Sequence, residues 1–331
     1  MEAVGFQFVT TITGSQHSVS KDEWSLLPPH RAALPLISSP NVKRAAMDQI
    51  LVMDQASTSG QKDKIRRLRR RLQTGTFVMP EVWDVASSRI MADAGYEFIG
   101  TSSISIGWCL GYHASERIAT DDLLSVVSRI TRGFDTPVTA DLEGAAGRSL
   151  DEVKYAVSAA VSAGCVGIVL GDGGRNGMHG ILPVDEMADY VKAVKAATVE
   201  AKMPAVITIA TEAFLLGAQV HSPFETSVER AEAYFAAGAD CVMVPGVQHL
   251  QILEKLASVV DGPLGVSVSY SPAPDIKQFA SIGISCVTFG GSLLRSLLGN
   301  MRLKGEELIA FGHFNHLDKA IPTPQLEALL R

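Results

Sequence analysis

The chain has 331 residues, 47% of them hydrophobic and 19% charged, with 29 Lys and Arg against 35 Asp and Glu. A chain this apolar can build a large core, which excludes global disorder. The formal net charge of −6 argues against a general binder of nucleic acid or anionic membranes.

Four cysteines, Cys109, Cys165, Cys241 and Cys286, lie far apart and form no CxxC pair, so neither a zinc knuckle nor a disulfide framework is expected. No run approaches the roughly 18 to 20 apolar residues of a membrane span. The opening segment up to Ser20 holds no Lys or Arg, unlike a signal or transit peptide. The expectation is a cytoplasmic protein of a reducing compartment.

In chain order, residues 1–61 read as an extension and linker. They carry the turn-formers Pro28, Pro29, Pro35 and Pro40, a helix-compatible stretch over 42–55, then Ser57 to Gly60. The segment 62–72 is strongly basic. It suits a nuclear-localisation or phosphate-binding patch, but Ile65, Leu68 and Leu72 sit at helical spacing, which favours a packed helix with solvated arginines.

From residue 76 onward one unit recurs: a helical pattern ends in Gly, an apolar run follows, and small residues close it. Copies begin at Gly95, Gly164, Gly238 and Gly283. A Gly just past a helix supplies the left-handed turn that sends the chain into a strand. Runs apolar on both faces suit a parallel sheet covered on both sides. With the runs at 77–80, 136–141, 204–209 and 263–268, eight strands are predicted. The helices between them fall at 85–94, 121–133, 150–163, 184–201, 227–237, 249–260, 275–282 and 292–311. Eight β-then-α units over 62–331 predict a (β/α)8 TIM barrel. A doubly wound sheet is the runner-up, but the turn Pro80 to Asp84 has no Gly for a dinucleotide.

In such a barrel the chemistry belongs at the C-terminal strand ends. There the third to fifth strands carry Asp141 with Glu143, Asp172, and Glu212. Carboxylates converging on a barrel mouth can hold a hard divalent ion and leave a position open for a substrate oxygen. The alternative is that each caps a helix or pairs with a cation.

The stretch from Pro80 through Trp83, Asp84 and Ser88 to Arg89 resembles the first βα unit of the phosphoenolpyruvate mutase / isocitrate lyase superfamily. So do Thr101 to Tyr112, Pro137 to Gly144, Gly238 to Gly246 and Gly290 to Arg295. The resemblance runs from about Lys64 to the C-terminus and covers none of residues 1–60. It implies a barrel that binds Mg2+ and a small 2-oxo or 2-hydroxy acid and makes or breaks a C–C or C–P bond through an enolate-like intermediate. It also implies a homo-dimer or homo-tetramer with a C-terminal helix exchanged between subunits. Asp141 and Glu143 match the acidic pair that holds the ion, and the turn Ser102, Ser103, Ile104 matches the backbone donors for a substrate carboxylate. Trp83, Asp84 and Thr211 belong to the same expected substrate-binding rim.

The departures from that pattern share a direction. Ala210 stands where the superfamily has an arginine, Gly171 where it has an acid, and Ala145 and Ala146 where it has Gly-Tyr. An acid expected at 113–114 is replaced by His113 and Ala114, and no Lys-Cys pair occupies the loop 173–180. No other side chain reproduces arginine's bidentate planar fork. The pattern predicts a wider, less charged mouth. His179 is the candidate proton donor in that loop, with Glu212 and Asp172 as further catalytic candidates; an exposed loop residue is the competing reading of His179. Arg175 and His113 are candidate substrate contacts, the first competing with a solvated side chain, the second with a partner for Tyr112 or Trp108. Gly290 and Gly291 suit either a phosphate at the last helix start or close packing. Three functions follow: a Mg2+-dependent lyase, a metal-independent isomerase or cyclase of specialised metabolism on a bulkier substrate, or a catalytically inactive barrel that acts as a binding protein.

Overall fold

The computed structural model describes residues 60–113, 116–145, 147–173 and 180–331. The expected extension therefore lies outside the described residues except for its last two, which open the first helix.

The strands are β1 (Phe77–Val78), β2 (Glu81–Val82), β3 (Ile99–Thr101), β4 (Val138–Gly144), β5 (Gly167–Gly171), β6 (Val206–Ala210), β7 (Cys241–Met243), β8 (Leu264–Ser267) and β9 (Cys286–Thr288). All pair in parallel, in the order β1-β9-β8-β7-β6-β5-β4-β3-β2. β1 and β2 are two halves of one extended stretch, broken at Met79-Pro80. The first half bonds to the last strand and the second to β3. Met79 N–H donates to Val287 O, while Pro80, which has no N–H, accepts from Gly100 N–H. The break thus joins the two edges, and the sheet closes into the expected eight-stranded barrel.

The helices are α1 (60–72), α2 (Val85–Asp93), α3 (Ser103–Leu110), α4 (Thr120–Thr131), α5 (Leu150–Ser162), α6 (Val184–Glu200), α7 (Ala213–Leu216), α8 (Pro223–Ala237), α9 (Leu250–Val259), α10 (Ile276–Ser281), α11 (Ser292–Phe311) and α12 (Thr323–Leu330). Every predicted helix is present to within a few residues. Three were not predicted: α3, read as a turn because its SISIG run has no polar face, the single-turn α7, and α12. Capping explains the starts. Asp84, Ser149 and Asp275 each accept an N–H from the third residue of their helix and receive a side chain in return.

The basic segment resolves as packing. Leu68 and Leu72 of α1 converge with Phe77, Met79, Thr139 and Cys286 inside the N-terminal end of the barrel. The arginines around them bind the barrel's own acids and carbonyls. Arg69 Nε lies 2.7 Å from Asp240 Oδ1, and Arg67 Nε 2.9 Å from Glu97 Oε1. Asp240 in turn accepts Ile207 N–H, so the plug is bonded to β6.

Leu68→Ala opens this plug. A leucine-to-alanine change at a buried site costs about 2–5 kcal/mol, and urea denaturation is expected to read a loss in that range for the whole barrel.

Candidate active site

Side chains alternate inward and outward along each strand. Phe77, Met79, Thr139, Thr208, Cys241, Met243 and Cys286 line the interior, so Glu81, Asp141 and Ala210 share their inward parity. Asp172 and Thr211 take the outward parity.

Asp141 is held from three directions. Its N–H donates to Thr101 Oγ1 at 3.0 Å, its Oδ2 accepts Ser103 N–H at 2.9 Å, and its Oδ1 accepts Glu143 N–H at 3.0 Å. Each oxygen keeps a second lone pair. The register of β4 on β5 shifts between Asp141 and Gly144, and Glu143 stands in the left-handed region at φ 66°. A non-glycine residue pays on the order of 1 kcal/mol there. The bulge puts Asp141 and Glu143 two residues apart at the same strand end, and Glu143 is only 7% exposed.

Glu212 reaches the same rim from β6. Its carboxylate lies over Gly171 and Gly173: a Cβ built on Gly171 would be 3.1 Å from Glu212 Oε1, and one on Gly173 would collide with Oε2. Gly171 pairs with Gly144, so Glu212 stands across β5 from the Asp141–Glu143 bulge. The space above Gly171 is thus occupied by the carboxylate of Glu212.

Asp172 lies outside this constellation. It is fully buried among the helices: Oδ1 accepts Glu212 N–H at 2.9 Å, while Oδ2 accepts Arg230 Nη1 at 3.0 Å and Tyr234 OH at 2.8 Å. Arg230 also donates to Leu182 O and Tyr234 OH. Asp172 therefore ties β5, the start of α7 and α8 together. Thr211 is buried on the same outward side.

The remaining expected residues divide as follows. Ser102 caps α3, accepting Ser105 N–H at 3.2 Å, and Ser103 N–H is engaged by Asp141. Ile104 and Trp108 pack onto Gly291, where a Cβ would meet the Trp108 ring at 2.7 Å, so close packing explains that glycine. Trp83 is buried and Asp84 accepts Ser87 N–H at 2.6 Å; both line an apolar cavity of about 580 Å³ with Ile106, Cys109, Arg129 and Leu330, beside the mouth. His113 is exposed beyond α3, its N–H donating to Glu116. His179, Arg175, Ala114 and Ala146 lie outside the described residues.

Two residues escaped the sequence reading. Glu81 points into the barrel, its Oε2 accepting the N–H groups of Phe289, at 3.0 Å, and Gly290. Burial pushes its carboxyl up to about 7, the Asp141 charge adding to the rise and the bonds from Gly290, Thr288 and Phe289 opposing it. The signal was its parity with Phe77 and Met79. Arg295 of α11 borders a cleft of about 400 Å³ with Ser269, Ser271, Ser292 and Ser296 at the β8 end.

A closed ring of eight parallel strands with carboxylates at the C-terminal mouth is the arrangement on which barrel enzymes place their active sites. The chain belongs to the phosphoenolpyruvate phosphomutase family, whose model matches residues 65–309. It is 29% identical over 223 residues to the oxaloacetate decarboxylase of Chromohalobacter salexigens, covering 65% of this chain and 74% of that one. A lyase/mutase-type protein of Burkholderia cenocepacia J2315 superposes with a TM-score of 0.75 at 25% identity, covering 82% of this chain and 96% of that one. A phosphonopyruvate hydrolase solved with oxalate and Mg2+ has the same fold, with a TM-score of 0.70 at 20% identity over 80% of this chain and 94% of that one. No helix among the described residues is long and apolar enough to cross a membrane.

The raised Glu81 pKa has a sign. Between its ordinary 4.5 and about 7 the folded chain keeps a proton that the unfolded chain releases. Its contribution is therefore present at low pH and is lost as pH rises through that window, on the order of 3 kcal/mol in all. Urea denaturation at pH 5 and pH 7.5 is expected to show Glu81→Gln losing less stability across this interval than the wild type.

Proposed function

We propose that the chain is a lyase-type enzyme that makes or breaks a C–C bond next to a carboxylate or carbonyl, through an enolate-like intermediate. What supports this reading is the gathering of Asp141, Glu143 and Glu212 at one rim, in a family that includes an oxaloacetate decarboxylase. The loss of arginine at Ala210 and of a tyrosine ring at Ala146 suits a substrate larger and less acidic than oxaloacetate.

The donor set fits Mg2+ tested on its own chemistry. Asp141 and Glu143 offer only hard carboxylate oxygens, and Mg2+ accepts one or two carboxylates with water completing its shell. Among the described residues no three His, Cys, Asp or Glu side chains converge as a direct cage, so in this proposal water fills the rest of the ion's shell. When bound, Mg2+ supplies positive charge against the developing enolate oxygen.

The chain's own groups do the rest. At the α3 start Ser102 N–H goes to Val82 O and Ser103 N–H to Asp141, so in this proposal the Ile104 N–H is the backbone donor that orients a carboxylate or carbonyl oxygen. Glu212 holds or moves the proton, with His179 as the other donor. Asp172, joined to Arg230 and Tyr234, positions Glu212 through its N–H rather than touching substrate. Trp83 forms the apolar flank with Asp84 at its edge, and Arg175 and His113 complete the substrate-binding set of the proposal, while Thr211, buried on the outward side, supports the strand end.

One observation favours the metal-independent isomerase or cyclase as the second reading: both oxygens of Asp141 already accept backbone N–H groups. The assay is turnover of small 2-oxo and 2-hydroxy acids with Mg2+ and with EDTA. Asp141→Asn is expected to lower kcat/KM by about 100-fold or more, and EDTA to abolish wild-type turnover. Turnover that ignores EDTA selects the second reading; ligand-induced thermal shift without turnover selects an inactive binding protein.

The partner of this proposal is a second copy of the chain. α11 exposes Leu297, Leu298, Met301, Leu303, Ile309 and Phe311, and only Leu294 of that helix is buried. An apolar face of this length marks an interface. α12 lies against α2 of its own chain, and exchange of the C-terminal helices between subunits would cover the α11 face. Light scattering is expected to report a dimer or tetramer, and Met301→Asp with Ile309→Asp to shift it toward monomer.

A further inference from the structure

Five residues past Glu143, Arg148 is 7% exposed, an arginine almost wholly inside the protein. Both ends of it are tied. Its backbone N–H donates to Ala145 O at 3.0 Å, and its own carbonyl accepts the Tyr190 hydroxyl from α6. Its guanidinium donates from Nη1 to Leu142 O at 2.9 Å and from Nη2 to Thr120 Oγ1 at 3.4 Å.

Leu142 O and Glu143 N–H belong to the same peptide. Arg148 holds its carbonyl, and the Asp141 carboxylate holds its N–H at 3.0 Å. This peptide is the one that enters the left-handed turn at Glu143 and carries the register shift of β4. Left alone, a glutamate returns to the ordinary extended region, which rotates the peptide, withdraws the N–H from Asp141 and re-aims the Glu143 side chain. A buried, planar guanidinium with two fixed acceptors is well made to prevent that rotation, whereas an ammonium on a flexible stem is not.

We propose that Arg148 is a positioning residue for the acidic pair: by clamping the Leu142–Glu143 peptide it aims the Asp141 and Glu143 carboxylates at a common divalent ion. This rests on the reading that Asp141 and Glu143 hold Mg2+. Arg148 touches neither ion nor substrate; it acts through the peptide. Outer partners of this kind typically change metal affinity by 10- to 100-fold.

The experiment titrates full-length protein with MgCl2 by calorimetry, with no substrate present. Arg148→Met is expected to raise the Mg2+ Kd by about tenfold or more, and Arg148→Lys, which keeps the charge and loses the fork, by an intermediate factor. Tyr190→Phe keeps the guanidinium but frees the Arg148 carbonyl, and is expected to raise Kd about threefold; it serves where Arg148→Met fails to fold. A folded Arg148→Met with Kd within twofold of wild type, or with tighter binding from relief of charge compensation, overturns the clamp, as does an unchanged Tyr190→Phe. Wild-type protein that binds no Mg2+ overturns the metal reading instead. In that case the crystal structure of Arg148→Met still decides the clamp: Glu143 leaving the left-handed region supports it, and Glu143 retaining its φ overturns it.

Discussion

Closure of the ring through a broken first strand governs what can meet inside. Because Phe77–Val78 bonds to β9 and Glu81–Val82 to β3, the two edges of the sheet are the two sides of one extended stretch. A closed parallel ring leaves no exposed edge, and its alternation of side chains divides every strand into an inner and an outer set. Inner residues share one cavity whatever their distance in sequence. Glu81 and Asp141 become electrostatic neighbours for this reason alone.

That same constraint makes carboxylates in the ring expensive. An ionised carboxylate away from water must be bonded or must take up a proton. The barrel uses both solutions. Asp141 accepts two backbone N–H groups, from α3 and from its own strand end. Glu81 accepts two from the loop after β9 and has its carboxyl pushed up to about 7. The acids at the mouth are thus embedded in backbone donors drawn from neighbouring strand ends and the loops that follow them.

The outer set builds a second polar layer. Asp172, Arg230 and Tyr234 form a buried cluster that joins β5, α7 and α8, with Leu182 O and Glu212 N–H as its ends. Breaking one partner of such a pair leaves a buried charge uncompensated, which is why Asp172 reads as architecture that supports Glu212. Beyond this layer the molecule changes character. α11 carries its apolar residues outward, and of its side chains only Leu294 is buried.

Hydrophobic period and glycine punctuation depend on local geometry, so the sequence alone determined the eight strands, the eight main helices and the identity of the strand-end acids. It also assigned the 62–72 segment to packing through Ile65, Leu68 and Leu72. What it left open was direction. Whether Asp172 faces the mouth or the helices follows from its parity relative to Gly171 and Gly173, which a strand end read as a list does not reveal. Glu212 filling the space above Gly171, Glu81 meeting Asp141, and Arg148 gripping the peptide of Glu143 all join residues that different strands or a reversed turn bring together. Such contacts are set by strand pairing, by closure of the ring and by the turn after β4, all of which exist only in the tertiary structure.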